Sequence, residues 1–216
     1  MSKASSSRLI IVLLMFLLQG CASVHVSELN GQLEKTSPCC SSVAEMPFVT
    51  IKYDDGESFK FQGKQPVYQF EEGKSPFAAM KFPLEPEKRE ISVTTQPLSY
   101  YGEKGEGVLY YYFVPTLLIL DSDFKVTRKI DMYEDSFASK ALQDSWVETR
   151  VALAPNENYL VLYANPKRFG QEITYRDNYT GTGGGYNWKG TRLQKAKFQP
   201  GGYVTVWNVN LEREAQ

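Results

Sequence analysis

The chain has 216 residues, with 24 basic and 25 acidic side chains, one histidine and three cysteines. A balanced charge without a basic stripe excludes the electrostatic footprint of a nucleic-acid binder. The lone histidine, His25, sits near the N-terminus, which excludes Ser-His-Asp or Cys-His catalysis in the body of the chain.

Leu9 to Leu18 is a continuous apolar run, preceded by Lys3 and Arg8 and followed by Gln19-Gly20-Cys21. A spanning helix needs about 20 apolar residues, and this run is roughly half that, so it reads as the core of an export signal rather than an anchor helix. Leu18-Gln19-Gly20-Cys21 resembles the bacterial lipobox. That resemblance implies cleavage after residue 20, diacylation of the Cys21 sulfur and acylation of its new amino group. Ala22, where inner-membrane lipoproteins carry Asp, implies an outer-membrane lipoprotein facing the periplasm. Without residues 1–20, 22 basic side chains face 25 acidic ones, so no polybasic patch is left to hold a membrane and the lipid must do so.

Residues 21–45 read as a lipidated tether. Val26 to Lys35 predicts a marginal helix around Leu29 and Leu33, interrupted by Gly31. Cys39 and Cys40 are adjacent, in a compartment that favours oxidation. A vicinal disulfide, two free thiols packed as small hydrophobes, and pairing with another chain are all open. A bridge between neighbours would be strained, because Cα atoms about 3.8 Å apart fall below the usual disulfide window of roughly 4.4–6.8 Å.

From Pro47 the chain becomes a series of short β-prone runs separated by turn residues. The expected strands are Phe48–Lys52, Ser58–Gln62, Val67–Phe70, Pro76–Phe82, Glu90–Thr95, Val108–Tyr112 and Thr116–Leu120. Asp121-Ser-Asp123 turns the last of these into Phe124–Ile130 as a hairpin. Leu117 to Leu120 contains no polar residue and predicts a strand covered on both faces. Ser136–Trp146 predicts the one globular helix and the candidate cover. Thr149–Leu153 and Tyr159–Tyr163 predict a second hairpin, Gly181 to Gly185 a glycine-rich loop, and Gly202–Val209 the closing strand.

The sequence offers little chemistry. Gly73-Lys74-Ser75 lacks the earlier glycine of a phosphate-binding loop, because position 68 is Tyr68. Asp54, Asp55 and Glu57, and Asp121 with Asp123, read first as turn chemistry and only secondarily as a weak calcium or catalytic pair. No catalytic residue, metal ligand or cofactor is assigned. Tyr186, Asn187 and Trp188, beside the glycine run, are the candidate sugar-binding residues, against the plainer reading that they pack the loop onto the domain.

Several segments, in order, resemble the maltose operon periplasmic protein family of Gram-negative bacteria. They are Ser75-Pro-Phe-Ala-Ala-Met-Lys-Phe-Pro83, Arg89-Glu-Ile-Ser-Val-Thr-Thr95, Phe113-Val-Pro-Thr-Leu-Leu-Ile-Leu-Asp121 with Phe124, Val151-Ala-Leu-Ala-Pro155, Tyr159-Leu-Val-Leu-Tyr163 and Gly202-Tyr-Val-Thr-Val206. The Cys39-Cys40 pair also looks like the form found in lipoprotein members. The resemblance spans roughly residues 38 to 209; residues 165–200 depart from it. It implies a periplasmic location and an association with maltose or maltodextrin transport, and it supplies no catalytic residue.

The expected organisation is a signal peptide over 1–20, a tether over 21–45, an all-β domain over 46–210 and a tail over 211–216. The domain is expected to be an antiparallel β-sandwich of jelly-roll-like type with one short helix. The expected function is that of a non-enzymatic, membrane-anchored accessory to carbohydrate transport, binding maltodextrin weakly or docking onto a transport component. The alternative is a structural envelope lipoprotein that contacts outer-membrane assemblies or peptidoglycan and takes no sugar.

Overall fold

Alternating apolar and polar residues make most of the chain into strands, and the breaks between them fall at Gly, Pro, Asp and Asn. The structure, a computed structural model, describes residues 26–52, 54–83, 89–96, 98–101, 108–133, 147–183 and 186–210. Cys21, His25 and the expected helix Ser136–Trp146 lie outside them. Among the described residues are one α-helix, α1 (Val26–Lys35), and fourteen strands. No described helix is long and apolar enough to cross a membrane.

Six strands form the first sheet: β1 (Phe48–Thr50), β3 (Val67–Phe70), β4 (Gly73–Lys81), β8 (Pro115–Asp121), β9 (Val126–Asp131) and β11 (Glu157–Ala164). Their order is β1-β4-β11-β8-β9, with β3 paired to β4. The second sheet has the order β10-β5-β14-β2, from β10 (Val147–Leu153), β5 (Arg89–Gln96), β14 (Gly202–Asn210) and β2 (Asp55–Phe61). The third has the order β12-β13-β7-β6, from β12 (Glu172–Gly183), β13 (Tyr186–Phe198), β7 (Val108–Tyr112) and β6 (Leu98–Tyr101).

The all-β class stands. The expectation of purely antiparallel pairing does not, because β1 pairs with β4 and β13 with β7 in parallel. In the first case the chain leaves β1, contributes β2 to the second sheet, returns as β3 and reverses in a hairpin into β4, which therefore runs in the direction of β1.

The expected hairpin of Thr149–Leu153 with Tyr159–Tyr163 is also corrected. β10 pairs with β5, whereas β11 pairs with β4 and β8, so the turn between them carries the chain from one sheet to another. Two buried charges hold this crossing. The Arg89 guanidinium donates to the carbonyls of Pro83, Ala154, Pro155 and Glu157 at 2.6–3.3 Å. The Glu157 carboxylate accepts from the Ala154 N–H and the Thr127 hydroxyl, and from Arg128 through Nε at 2.8 Å.

The central strands β4, β8 and β11 of the six-stranded sheet are buried on both faces, and alternation divides their residues between two clusters. Ala78, Met80, Leu117, Ile119, Leu160 and Leu162 join Ile91, Val93, Val151, Val204 and Val206 of the second sheet in the main core. Phe77, Ala79, Leu118, Leu120, Val161 and Tyr163 form the other cluster with Met46 and Phe70. Cys40, Val43, Phe48, Tyr68 and Tyr159 pack against this second face, so residues 40–48 and β3 supply its cover.

α1 runs through Gly31 without a break. An interior glycine costs a helix about 1 kcal/mol, which tertiary contacts offset here. Leu29 is buried against the backbone of Gly201, where an added Cβ would come within 2.5 Å of its Cδ1. The Lys74 ammonium donates to the carbonyls of Glu34 and Thr36 at the helix C-terminus, where orphan acceptors and the helix dipole favour a cation.

Candidate functional site

The expected glycine-rich loop is instead the end of a long hairpin. β12 and β13 pair over twelve rungs, from Glu172 opposite Lys197 to Gly183 opposite Tyr186, with only Gly184 and Gly185 between the strands. Tyr186, Asn187 and Trp188 therefore occupy the last rungs, opposite Gly183, Thr182 and Gly181. They are strand residues at the end of the hairpin.

At the base of this hairpin, Leu109, Tyr110, Tyr111, Glu172, Leu193, Lys195 and Lys197 line an open groove of about 770 Å³. Tyr110, Glu172 and Lys195 are already engaged there. Tyr110 meets the buried Tyr175 edge-on, with ring centres 5.8 Å apart, and accepts from Arg192 at its hydroxyl. Lys195 is paired with Glu172 at 2.7 Å.

A different surface presents an aromatic ring flat. In β14 the inward residues Val204, Val206 and Asn208 are buried, so Tyr203, Thr205 and Trp207 share the outer face of the second sheet. Pairing sets their neighbours in rows. Trp207 lies between Ser92 and Gly56, Thr205 between Thr94 and Ser58, and Tyr203 between Gln96 and Lys60. Arg150 extends the first row beyond Ser92, and Glu148 the second beyond Thr94.

Gly56 lets the indole lie down. A Cβ there would come within 2.7–3.0 Å of Cδ2, Cε2 and Cε3 of Trp207, three atoms of the six-membered ring at nearly one height. Trp207 is nonetheless 48% exposed, so one ring face rests on backbone while the side chain still meets solvent. Polar groups surround it. The Ser92 hydroxyl donates to Glu148 at 2.6 Å, and Arg150 donates to the same carboxylate at 2.8 Å. Ser58 and Thr205 share a hydroxyl–hydroxyl bond of 3.1 Å, and the Lys60 ammonium stands 5.2 Å from the centre of the Tyr203 ring.

The other polar clusters are structural in geometry. Glu72 accepts from the Tyr163 hydroxyl at 2.7 Å and is bonded to Lys129. Burial would raise the Glu72 carboxyl, but the Lys129 and Tyr163 hydrogen bonds outweigh it and hold it below its ordinary range. Burial, reinforced by Glu72, pushes the Tyr163 phenol far up. Asp121 accepts from the Asp123 and Lys125 N–H groups, and the Asp55 carboxylate from the Gly56 N–H, which is turn chemistry. No group of three or more metal-ligating side chains is present among the described residues.

Cys39 and Cys40 are bridged to each other, with their Cα atoms 3.8 Å apart. Cys39 is exposed and donates its N–H to the Val67 carbonyl, while Cys40 packs against the second core cluster.

No protein-family model matches the chain, and no curated protein matches it. Among solved structures it is similar to the pre-peptidase C-terminal domain of a collagenase from Bacillus anthracis. That likeness has 9% identity over 76% of this chain and 98% of the other, with a TM-score of 0.32, and carries no argument.

Sequence reasoning passed over Trp207. Its strand was recognised, and the alternation of Tyr203, Thr205 and Trp207 against three inward residues was available. The pairing that sets Gly56 opposite the indole was not, because the two residues are far apart in the chain.

Proposed function

We propose that this chain is a lipid-anchored, periplasm-facing accessory to carbohydrate uptake that holds a transported sugar weakly on its surface. The observation that carries the reading is Trp207 laid flat on Gly56 and exposed beside hydroxyl and charged side chains. A flat aromatic face suits the apolar C–H face of a pyranose, and hydroxyl and charged groups around it suit sugar hydroxyls; recognition sites combine apolar contact with a few convergent polar groups in this way. An open surface buries little of its ligand, so binding should be weak. The resemblance to the maltose operon periplasmic family supports maltose or maltodextrin as the sugar, and the lipobox-like Leu18-Gln-Gly-Cys21 supports Cys21 as the outer-membrane anchor.

The proposed architecture is a jelly-roll-like β-sandwich. It is supported by the passage of the chain between sheets at β1–β2, β2–β3, β4–β5 and β10–β11, and by the core shared between the first and second sheets.

Two measurements test the function. Cys21→Ala should give an unprocessed precursor or a product released from the outer-membrane fraction; normal processing and fractionation would end the anchor reading. Retention of the protein on immobilised amylose should be lost with Trp207→Ala and kept with Trp188→Ala. The reverse pattern would move the site to the hairpin end, at Tyr186, Asn187 and Trp188. No retention of the wild-type protein would favour an envelope lipoprotein that contacts outer-membrane assemblies or peptidoglycan.

A further inference from the structure

Resting on the reading of Trp207 as a sugar platform, we infer that the ligand is a linear, uncharged hexopyranose chain longer than a disaccharide, lying along β14 from Trp207 to Tyr203. Three observations lead there. The first is length. Trp207 and Tyr203 are four residues apart on one face of one strand, which places them about 13 Å apart at roughly 3.3 Å per residue. That exceeds the reach of a disaccharide stacked on the indole.

The second is what lies between. The middle row is Thr94, Thr205 and Ser58, small hydroxyl side chains that leave the track between the aromatics low and able to hydrogen-bond. The Ser58–Thr205 pair offers donors and acceptors midway, and the Tyr203 ring with its Lys60 partner closes the far end with a phenol and an ammonium, both donors. A chain stacked at one end and hydrogen-bonded at the other fits this order.

The third is charge. The charged side chains in these rows and the one beyond are Glu90, Glu148 and, at the β2 edge, Asp54 against Arg150 and Lys60, so the face carries no positive excess. Glu148 and Glu90 are both paired with Arg150, at 2.8 and 3.6 Å. Such a face has no positive excess with which to hold a phosphorylated or carboxylated ligand. An uncharged glycan could come from two sources, a soluble α-glucan or an acetylated glycan strand of the envelope.

Titration calorimetry with the full-length, detergent-solubilised protein distinguishes these outcomes. Maltose, maltohexaose and N-acetylchitohexaose are the probes, and each variant's thermal melt is recorded alongside. Maltohexaose should bind at least tenfold tighter than maltose. Tyr203→Ala or Lys60→Gln should reduce the hexaose to the maltose level, and Trp207→Ala should abolish binding of both. Tighter binding of the chito-oligomer would keep the extended track and assign the envelope glycan as its source. Equal affinity for maltose and maltohexaose, with maltose binding still dependent on Trp207, would overturn the extended track alone. Absence of binding by the wild-type protein to any probe would overturn the platform itself.

Discussion

Trp207 rests face-down on Gly56, paired across β14 and β2, and the absence of a side chain on one residue sets the posture of the other. Gly56 has no left-handed φ, so alanine fits the backbone there. Gly→Ala at a compatible site stabilises by about 0.4–1 kcal/mol through the unfolded chain. Lifting the ring off the sheet offsets that gain, so Gly56→Ala should leave stability within about 1 kcal/mol of the parent. The indole should change far more. Its near-ultraviolet dichroism and its access to acrylamide, taken as differences from Trp207→Phe, should both shift. An unchanged indole signal would mean that the ring does not depend on the glycine.

Leu118 and Ile119 point to opposite faces of β8, and both faces are covered: Leu118 by the second cluster and Ile119 by the main core. Leu→Ala or Ile→Ala in a core costs roughly 2–5 kcal/mol, against a total of about 5–15 for a domain of this size. Each substitution should therefore lower the urea midpoint clearly. A Leu118→Ala protein within about 0.5 kcal/mol of wild type would show that residues 40–48 are a loose cover rather than packed structure.

Leu117 to Leu120 was legible because four apolar residues in a row leave no face for water. Val67–Phe70 and Val108–Tyr112 were legible to the residue, since turn chemistry bounds the first and aromatics fill the second. What failed was partner choice. Thr149–Leu153 and Tyr159–Tyr163 look like a hairpin because they alternate and flank a turn, yet alternation only says that each has a buried face. It does not say that they bury it in the same sheet. Arg89, which donates to the turn carbonyls, lies some 65 residues away in the chain. Residues 172–198 misled in a different way, because glycines at 181 and 183 read as a loop while serving as rungs of a long ladder. α1 was underrated because propensity counts the cost of Gly31 and not the docking of Leu29.

Cys39 and Cys40 close a loop with no residue between them. Disulfides stabilise mainly by restricting the unfolded chain, and the effect grows with loop length, so this one removes almost no freedom. Replacing both by serine should change stability by less than about 1 kcal/mol. The stability comparison is an equilibrium denaturation of the two proteins without reductant, and mass spectrometry after alkylation should find no free thiol in the wild type. A large loss would mean that Cys40, packed on the second cluster, contributes through burial rather than through its bond.

Glu157 gives the sharpest pH prediction. Its side chain is 3% exposed, and burial alone would raise its carboxyl. Hydrogen bonds from Arg128, the Ala154 N–H and Thr127 outweigh burial and hold it below the ordinary value of 4.5. Between the folded and ordinary values the unfolded chain binds more protons than the native one, so stability rises with pH through that window. The contribution is complete above about pH 4.5 and is lost as pH falls through the folded value; Glu72, lowered in the same sense, adds to the same limb. Glu157→Gln keeps the shape but sets amide hydrogens against the Arg128 and Ala154 donors, leaving donors unmatched at a cost of about 1–3 kcal/mol near neutrality. Denaturation at pH 7 and pH 3 should show the difference between wild type and variant shrinking as the wild-type carboxylate is protonated. A difference equal at both pH values would mean that the charge of Glu157 is irrelevant to the crossing between sheets, and that only its hydrogen-bond geometry holds the turn.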